Sequence, residues 1–233
     1  MWKRKWPWML EQQWDDLLFI HWPVPHDLLR PYVPQALELE TYNGQAWIGV
    51  IPFRTSKNRP RMVPYSLGTY VELNVRTYVR FYDEPGVYFF SLDASNFLTA
   101  FGANVLLPLP YYYANMQMLR TGKEILFTSR RRNTGTSKIF KATYCPYPHT
   151  YHAKENTLTY WLTERYCLYT LQSNRILKGP ITHSPWLLQD ASYDIEKNEY
   201  MPQTVMEKAP LVHYSKTKKA YFHPFEVVGR FSN

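Results

Sequence analysis

The sequence predicts an α+β fold dominated by strands: a single domain over residues 1–233, built on a curved antiparallel sheet with a few short helices. Aromatic residues make up 17% of the chain and 18 prolines punctuate it, a composition suited to short half-buried strands joined by frequent turns. Apolar residues recur in short runs, many alternating with polar ones. No internal repeat or low-complexity linker divides the chain, and 233 residues suffice for one substantial core.

Leu17-Leu18-Phe19-Ile20-His21-Trp22 reads as a buried strand ended by Pro23-Val24-Pro25, and Pro25 to Arg30 as a short helix with proline at its start. Leu37 to Thr41 alternates as a strand. Tyr42-Asn43-Gly44-Gln45 is a hairpin turn, and Ala46 to Phe53 the return strand. Arg54 to Ser66 is basic and contains proline, so a mobile loop is expected. A strand over Tyr70 to Arg80 follows, then a turn at Asp83-Glu84-Pro85-Gly86 and a strand over Val87 to Leu92. Asp93-Ala94-Ser95 introduces a helix over Asn96 to Leu107, stopped by Pro108 and Pro110. Tyr111 to Met118 and Ile125 to Arg132 form a hairpin around Thr121-Gly122-Lys123, and Ser137 to Tyr144 adds a strand. Thr157 to Tyr169 carries Leu158, Trp161, Leu162 and Tyr166 at helical spacing, with Asn156 as cap. Arg175 to Ile181 and Trp186 to Ile195 complete the strands.

The strand over Tyr70 to Arg80 holds the chemistry. Alternate side chains of a strand share a face, so Leu73, Val75, Thr77 and Val79 lie on one side and Glu72, Asn74, Arg76, Tyr78 and Arg80 on the other. An acid, an amide, a guanidinium and a phenol in one row suit a polar pocket better than a solvated surface. Glu72 is the acid–base candidate once burial raises its pKa. Arg76 can grip a carboxylate through two parallel hydrogen bonds, and Asn74 and Tyr78 can orient a carbonyl or hydroxyl. In the strand before Arg130-Arg131-Arg132, Ile125, Phe127, Ser129 and Arg131 share the apolar, inward face, making Ser129 and Arg131 candidates for an anion site. His183, in His183-Ser184-Pro185-Trp186, is a further candidate for ligand contact.

The formal net charge is +8, which attracts nucleic acid, anionic lipid or acidic ligands alike. The charges are spread out and match no nucleic-acid-binding signature, and alternation divides the three arginines between two faces, so nucleic acid is the weaker reading. Cys145 and Cys167 have neither disulfide nor metal spacing, and His149 and His152 lack a third ligand, so no metal is expected. No phosphate loop or Gly-x-Ser-x-Gly elbow occurs, and no cofactor is expected. The basic start, Met1 to Trp8, has no apolar run behind it, and no window is apolar enough to span a bilayer. A cytoplasmic protein with a small-molecule ligand, a carboxylate or carbonyl compound, and no membrane contact is therefore expected. The same pocket would serve either to transform a ligand or to hold it as a sensor does.

Several separated segments carry a family likeness: Asp16 to Pro25; Gly44-Gln45-Ala46-Trp47-Ile48-Gly49 with Pro52-Phe53; Glu72 to Val79 followed by Gly86 to Ala94; Leu109-Pro110-Tyr111; Trp161 to Tyr166; and His183 to Gln189. Together they resemble the YqjF-like family of bacterial proteins, a domain of unknown function grouped distantly with the acetoacetate decarboxylase fold. That resemblance implies a cone or barrel of antiparallel strands enclosing a polar pocket. In the decarboxylase pattern a strand Glu precedes a Gly-Arg-Glu segment and a Pro-Lys-Lys-x-Ala segment bearing a Schiff-base lysine. Glu72 matches the acid, Gly102-Ala103-Asn104 falls at the second segment, and Pro110-Tyr111-Tyr112-Tyr113-Ala114 at the third. A phenol forms no iminium, so the resemblance keeps the pocket and rejects that mechanism, leaving Tyr111 as a hydrogen-bonding candidate beside Glu72. Lys138 or Lys141 would have to enter the pocket from another strand to replace the missing amine.

Overall fold

Strand β1, Leu10–Val24, absorbs the predicted Leu17–Trp22 strand and extends it backwards through a polar segment. The structure is a computed structural model and describes residues 7–96, 108–131 and 137–231. The strands that follow are β2 (Glu38–Leu39), β3 (Ala46–Pro60), β4 (Tyr70–Phe81), β5 (Glu84–Ala94), β6 (Tyr111–Thr121) and β7 (Glu124–Arg131). Then come β8 (Lys138–Pro146), β9 (Cys167–Gln172), β10 (Arg175–His183), β11 (Ala191–Asn198), β12 (Leu211–Phe222) and β13 (Glu226–Arg230). The described helices are short: α1 (His26–Leu29), α2 (Leu158–Thr163) and α3 (Gln203–Met206). None is long and apolar enough to cross a membrane.

Strands β4, β5, β9, β10, β12, β1 and β3 pair in that order, and β3 returns to β4, closing a ring. The second edge of β5 is shared. Val87 pairs in parallel with Leu168 of β9, while Leu92 to Ala94 pair in parallel with Tyr111 to Tyr113 of β6. The sheet forks there: β9 continues the ring, and β6, β7, β8 and β11 leave as a wing. The expected sheet is thus antiparallel except at these two junctions on β5, where crossovers replace hairpins.

The wing folds back over the outside of the ring. Leu18, Ile20, Val50, Leu73 and Val75 from the ring and Met118, Ile125, Phe127, Phe140 and Tyr144 from the wing form one buried cluster. The apolar face of β4 therefore packs against the wing, and its polar face is turned into the ring. Polar contacts pin the two layers together. Asp16 adopts a left-handed conformation (φ 54°) where the pairing of β1 with β3 is irregular. Its carboxylate accepts hydrogen bonds from Tyr214 at 2.7 Å and from Arg120, and its carbonyl accepts one from Tyr144 at 2.7 Å.

Several boundaries differ from those the sequence predicts. Asn43 and Gly44 both have positive φ, as a type I′ turn requires, but β2 pairs with β4 rather than with the strand after the turn. Arg54 to Pro60 is not loop but a continuation of β3, paired with the polar start of β1. The helix expected over Thr157 to Tyr169 stops at Thr163. Thr157, not Asn156, caps it by accepting from the Tyr160 amide, and β9 begins at Cys167. The strand expected over Trp186 to Ile195 lies at Ala191–Asn198. The helix expected over Asn96 to Leu107 falls, but for Asn96, outside the described residues, and Gly102-Ala103-Asn104 and Arg132 lie wholly outside them.

Candidate functional site

Inside the ring lies a cavity of about 150 Å³. Glu72, Asn74 and Arg76 line it in a row from β4, as strand alternation requires. Tyr111 at the start of β6, Arg165 after α2 and His183 at the end of β10 add to the polar lining, with Gln12, Thr163 and His223. The remaining wall is largely aromatic and aliphatic. Of the sequence-predicted site residues, Glu72, Asn74, Arg76, Tyr111 and His183 are brought together here.

Glu72 is 3% exposed. Burial penalises its charged form and lifts its pKa to about 7, partly offset by hydrogen bonding from Tyr70 and Asn74. Glu72 then exchanges its proton near neutral pH. Tyr70 is itself held by Gln12, whose Nε2 donates to its hydroxyl at 3.1 Å, and Trp14 Nε1 donates to Gln12 Oε1 at 3.0 Å. Burial and the charge of Glu72 both push the Tyr111 hydroxyl well above its ordinary pKa, so it stays protonated. Burial lowers the pKa of His183, whose Nδ1 sits 2.9 Å from the Ser184 carbonyl and whose ring stacks on Tyr166 at 4.6 Å. A neutral, fixed imidazole results.

The cationic end of the row is built from two arginines. Arg76 donates to the Leu162 carbonyl at 3.3 Å and lies 5.7 Å from the ring centres of Phe19 and Tyr78. Among the described residues it has no carboxylate partner within ion-pair distance. Arg165 is 7% exposed, donates to the Trp161 carbonyl at 2.7 Å and pairs with the buried Glu40. Glu40 is also shared with Arg80 at 2.8 Å. The Nε of Arg76, the Nη2 of Arg165, the Oδ1 of Asn74 and the Oε1 of Glu72 are buried without a protein hydrogen-bond partner among the described residues. Each such atom costs on the order of 1–3 kcal/mol unless something pairs with it.

Hydrophobic patterning misses Arg165 and Glu40 as parts of this site. One signal was available for Arg165. It lies seven residues after Leu158 and four after Trp161, so it continues the apolar stripe that predicted the helix. A charge on such a stripe marks a buried partner, here Glu40.

A family model described as an uncharacterized conserved protein, DUF2071, matches residues 11–219. The chain belongs to the DUF2071 family. This DUF2071 chain is 44% identical over 222 residues to the uncharacterized protein YqjF of Bacillus subtilis (strain 168), covering 93% of this chain and 91% of that protein. Its fold is similar to that of an acetoacetate decarboxylase from Legionella pneumophila, with a TM-score of 0.67, 15% identity, and coverage of 99% and 92% of the two chains. It is also similar to the enduracididine biosynthesis enzyme MppR complexed with pyruvate, with a TM-score of 0.64, 10% identity, and coverage of 99% and 94%. The acetoacetate decarboxylase-like fold implied by the sequence is thus shown.

Three sequence-predicted contacts do not reach the cavity of this DUF2071 protein. Tyr78 is fully buried behind it, with its hydroxyl 2.7 Å from His21 Nε2 and its ring beneath Arg76 and Arg165. It supports the arginines instead of lining the cavity. Arg131 and Ser129 do point inward on β7, but β7 belongs to the wing, whose inner face meets the outside of the ring. Arg131 is occupied by a two-point ion pair with the buried Asp93, which also accepts from Tyr200 at 2.6 Å. Ser129 borders a separate groove with Thr128 and Phe140.

The two tyrosines at the lysine positions part in the same way. Tyr111 lines the cavity, whereas the ring of Tyr112 lies 3.9 Å from the Arg131 guanidinium. No lysine lines the cavity among the described residues. Lys138 packs 5.6 Å from the Tyr200 ring and Lys141 pairs with Glu196 at 2.6 Å, so neither supplies the missing amine. Among the described residues, no group of three or more His, Cys, Asp or Glu could hold a metal ion.

Proposed function

We propose that the ring holds a small organic anion, a carboxylate or a carbonyl-bearing acid, with Arg76 as its primary grip and Glu72 as the proton-exchanging group. One observation carries this reading. Arg76 and Arg165 stand close enough for the charge of Arg76 to disfavour that of Arg165, yet Glu40 is the sole carboxylate paired with either among the described residues. Glu72 does not supply the missing charge: it sits about 13 Å from Arg76 along the strand, and Arg76 takes no part in its pKa shift. A cationic pair, Arg165 buried and Arg76 half-buried, with one counter-ion favours a second anion, and a guanidinium with an unpartnered, buried Nε is shaped to hold a carboxylate.

Among the described residues the cavity offers acid–base groups and no lysine, so they support proton exchange with the ligand and not an iminium at its carbonyl. Protonated Glu72 can donate to a ligand oxygen or carbon, and ionised Glu72 can accept, with Tyr111 as a fixed hydrogen-bond donor. The fold neighbours include enzymes that act on or bind small oxo acids, which supports the ligand class. The test is a thermal-shift series with small carboxylates and 2-oxo acids on wild type and Arg76→Ala. Wild type is expected to melt at higher temperature with at least one of these acids, and Arg76→Ala to lose that shift. Equal shifts in both proteins, or none in wild type, would sink the reading.

A further inference from the structure

The wall beside Arg76 says more about the ligand than its charge. The Arg76 guanidinium sits 5.7 Å from the ring centre of Phe19. Phe19 meets Trp186 edge-to-face at 4.9 Å, and Trp186 lies parallel to Trp14 at 5.9 Å, their planes 10° apart. Phe53 and Phe222 close on Trp14 from its edges, each at 5.9 Å. All of these rings line the cavity. The wall is held firmly in place. The Trp186 amide donates to Glu164 Oε1 at 2.8 Å, and its carbonyl lies 2.7 Å from His152 Nδ1. Lys218, 6% exposed, is bound by the carbonyls of Ser184 and Pro185 and by the Ser184 hydroxyl, and lies 5.3 Å from the Trp186 ring.

Across the cavity Val87, Phe89, Leu92 and Leu168 supply only aliphatic and aromatic surface. The volume matches that of cavities known to accept one benzene ring. A ligand that reached both Arg76 and Glu72 would be elongated, since their strand positions lie about 13 Å apart.

We infer that the anion bound by this site carries an apolar body, one ring or a chain of roughly five to seven carbons, laid along the Phe19–Trp186–Trp14 wall with its carboxylate on Arg76. This rests on the anion reading above and narrows its ligand class. Three-carbon acids would fill the polar end and leave the wall uncovered. The wall of a binding pocket is where apolar area is gained, and a few polar groups fix orientation.

The experiment is calorimetric titration of the full chain with straight-chain monocarboxylates from acetate to octanoate, and with 3-phenylpropanoate. Wild type, Arg76→Ala and Trp14→Leu are compared. Affinity is expected to tighten about fourfold per methylene until the cavity is full, with 3-phenylpropanoate well ahead of acetate. Trp14→Leu is expected to flatten that gain, with octanoate and 3-phenylpropanoate losing far more affinity than acetate. Binding that depends on Arg76 but not on chain length would overturn the apolar body and leave the anion site standing. Absence of binding by every carboxylate would overturn both.

Discussion

In an unfolded chain Glu72 releases its proton near pH 4.5, whereas in the folded ring, starved of water, it keeps the proton to about 7. Between those values the folded state binds a proton that the unfolded state does not, so stability falls as pH rises. The fall spans about 2.5 pH units at about 1.4 kcal/mol each, or about 3 kcal/mol, and is complete above the folded pKa. Glu72→Gln carries the neutral form at every pH. Urea unfolding is expected to find the variant equal to wild type near pH 4 and more stable by about 3 kcal/mol near pH 8. The same stability difference at both pH values would mean that the carboxyl titrates as in water. Much of this site was legible at the scale of single residues: alternation alone put Glu72, Asn74 and Arg76 on one face. Alternation does not say what a face meets, and that is why Arg131, correctly read as inward, turned out to face Asp93 on the outside of the ring.

Strands were easier to read than their partners. The pattern of β4 identified it, and the Asn43-Gly44 turn was unmistakable, but β2 found its partner in β4 because pairing is decided by tertiary packing. The polar start of β1 escaped hydrophobic patterning for a related reason. Its side chains are satisfied across strands, as in Arg59 Nη2 to Glu11 Oε2 at 2.7 Å and Ser56 Oγ to Asp15 Oδ2 at 2.6 Å. The fork in β5 depends on close approach at Gly86. A Cβ there would lie 2.7 Å from Tyr169 Cε2 and 2.9 Å from Cys167 Sγ, both in β9. Gly86→Ala is therefore expected to destabilise by about 1–3 kcal/mol in chemical denaturation, because the parallel seam must shift to admit it. Gly122, with φ 63° and nothing within 4 Å, is needed for its turn conformation alone. Gly122→Asn, a residue that tolerates this conformation, is expected to cost well under about 1 kcal/mol. Similar losses at both positions would count against close packing at the fork.

At the scale of the molecule, the ring is closed unevenly. β1 pairs at length with β12 and β3, while β5 meets β9 only through Val87–Leu168 and Tyr88–Tyr169, and β10 meets β12 only from Ile181–Phe222 to His183–Ala220. Hydrogen exchange read by mass spectrometry is expected to show peptides over these two seams opening well before those containing Leu18 to Trp22 or Val50 to Phe53. Uniform protection around the ring would show instead that closure is fully cooperative. Ring closure itself came from the family resemblance, since no local pattern encodes which distant strands meet.

The layering has a consequence for how such a molecule tolerates change. Along β4, ionisable and amide groups face into the ring, and a belt of Leu18, Ile20, Val50, Leu73 and Val75 from β1, β3 and β4 faces outward beneath the wing. An ordinary water-facing barrel carries polar side chains on that outer surface, so this ring depends on its cover. The wing is a coat: lesions that loosen it would be felt first as stickiness, by aggregation or capture by chaperones, while the binding chamber inside was still whole.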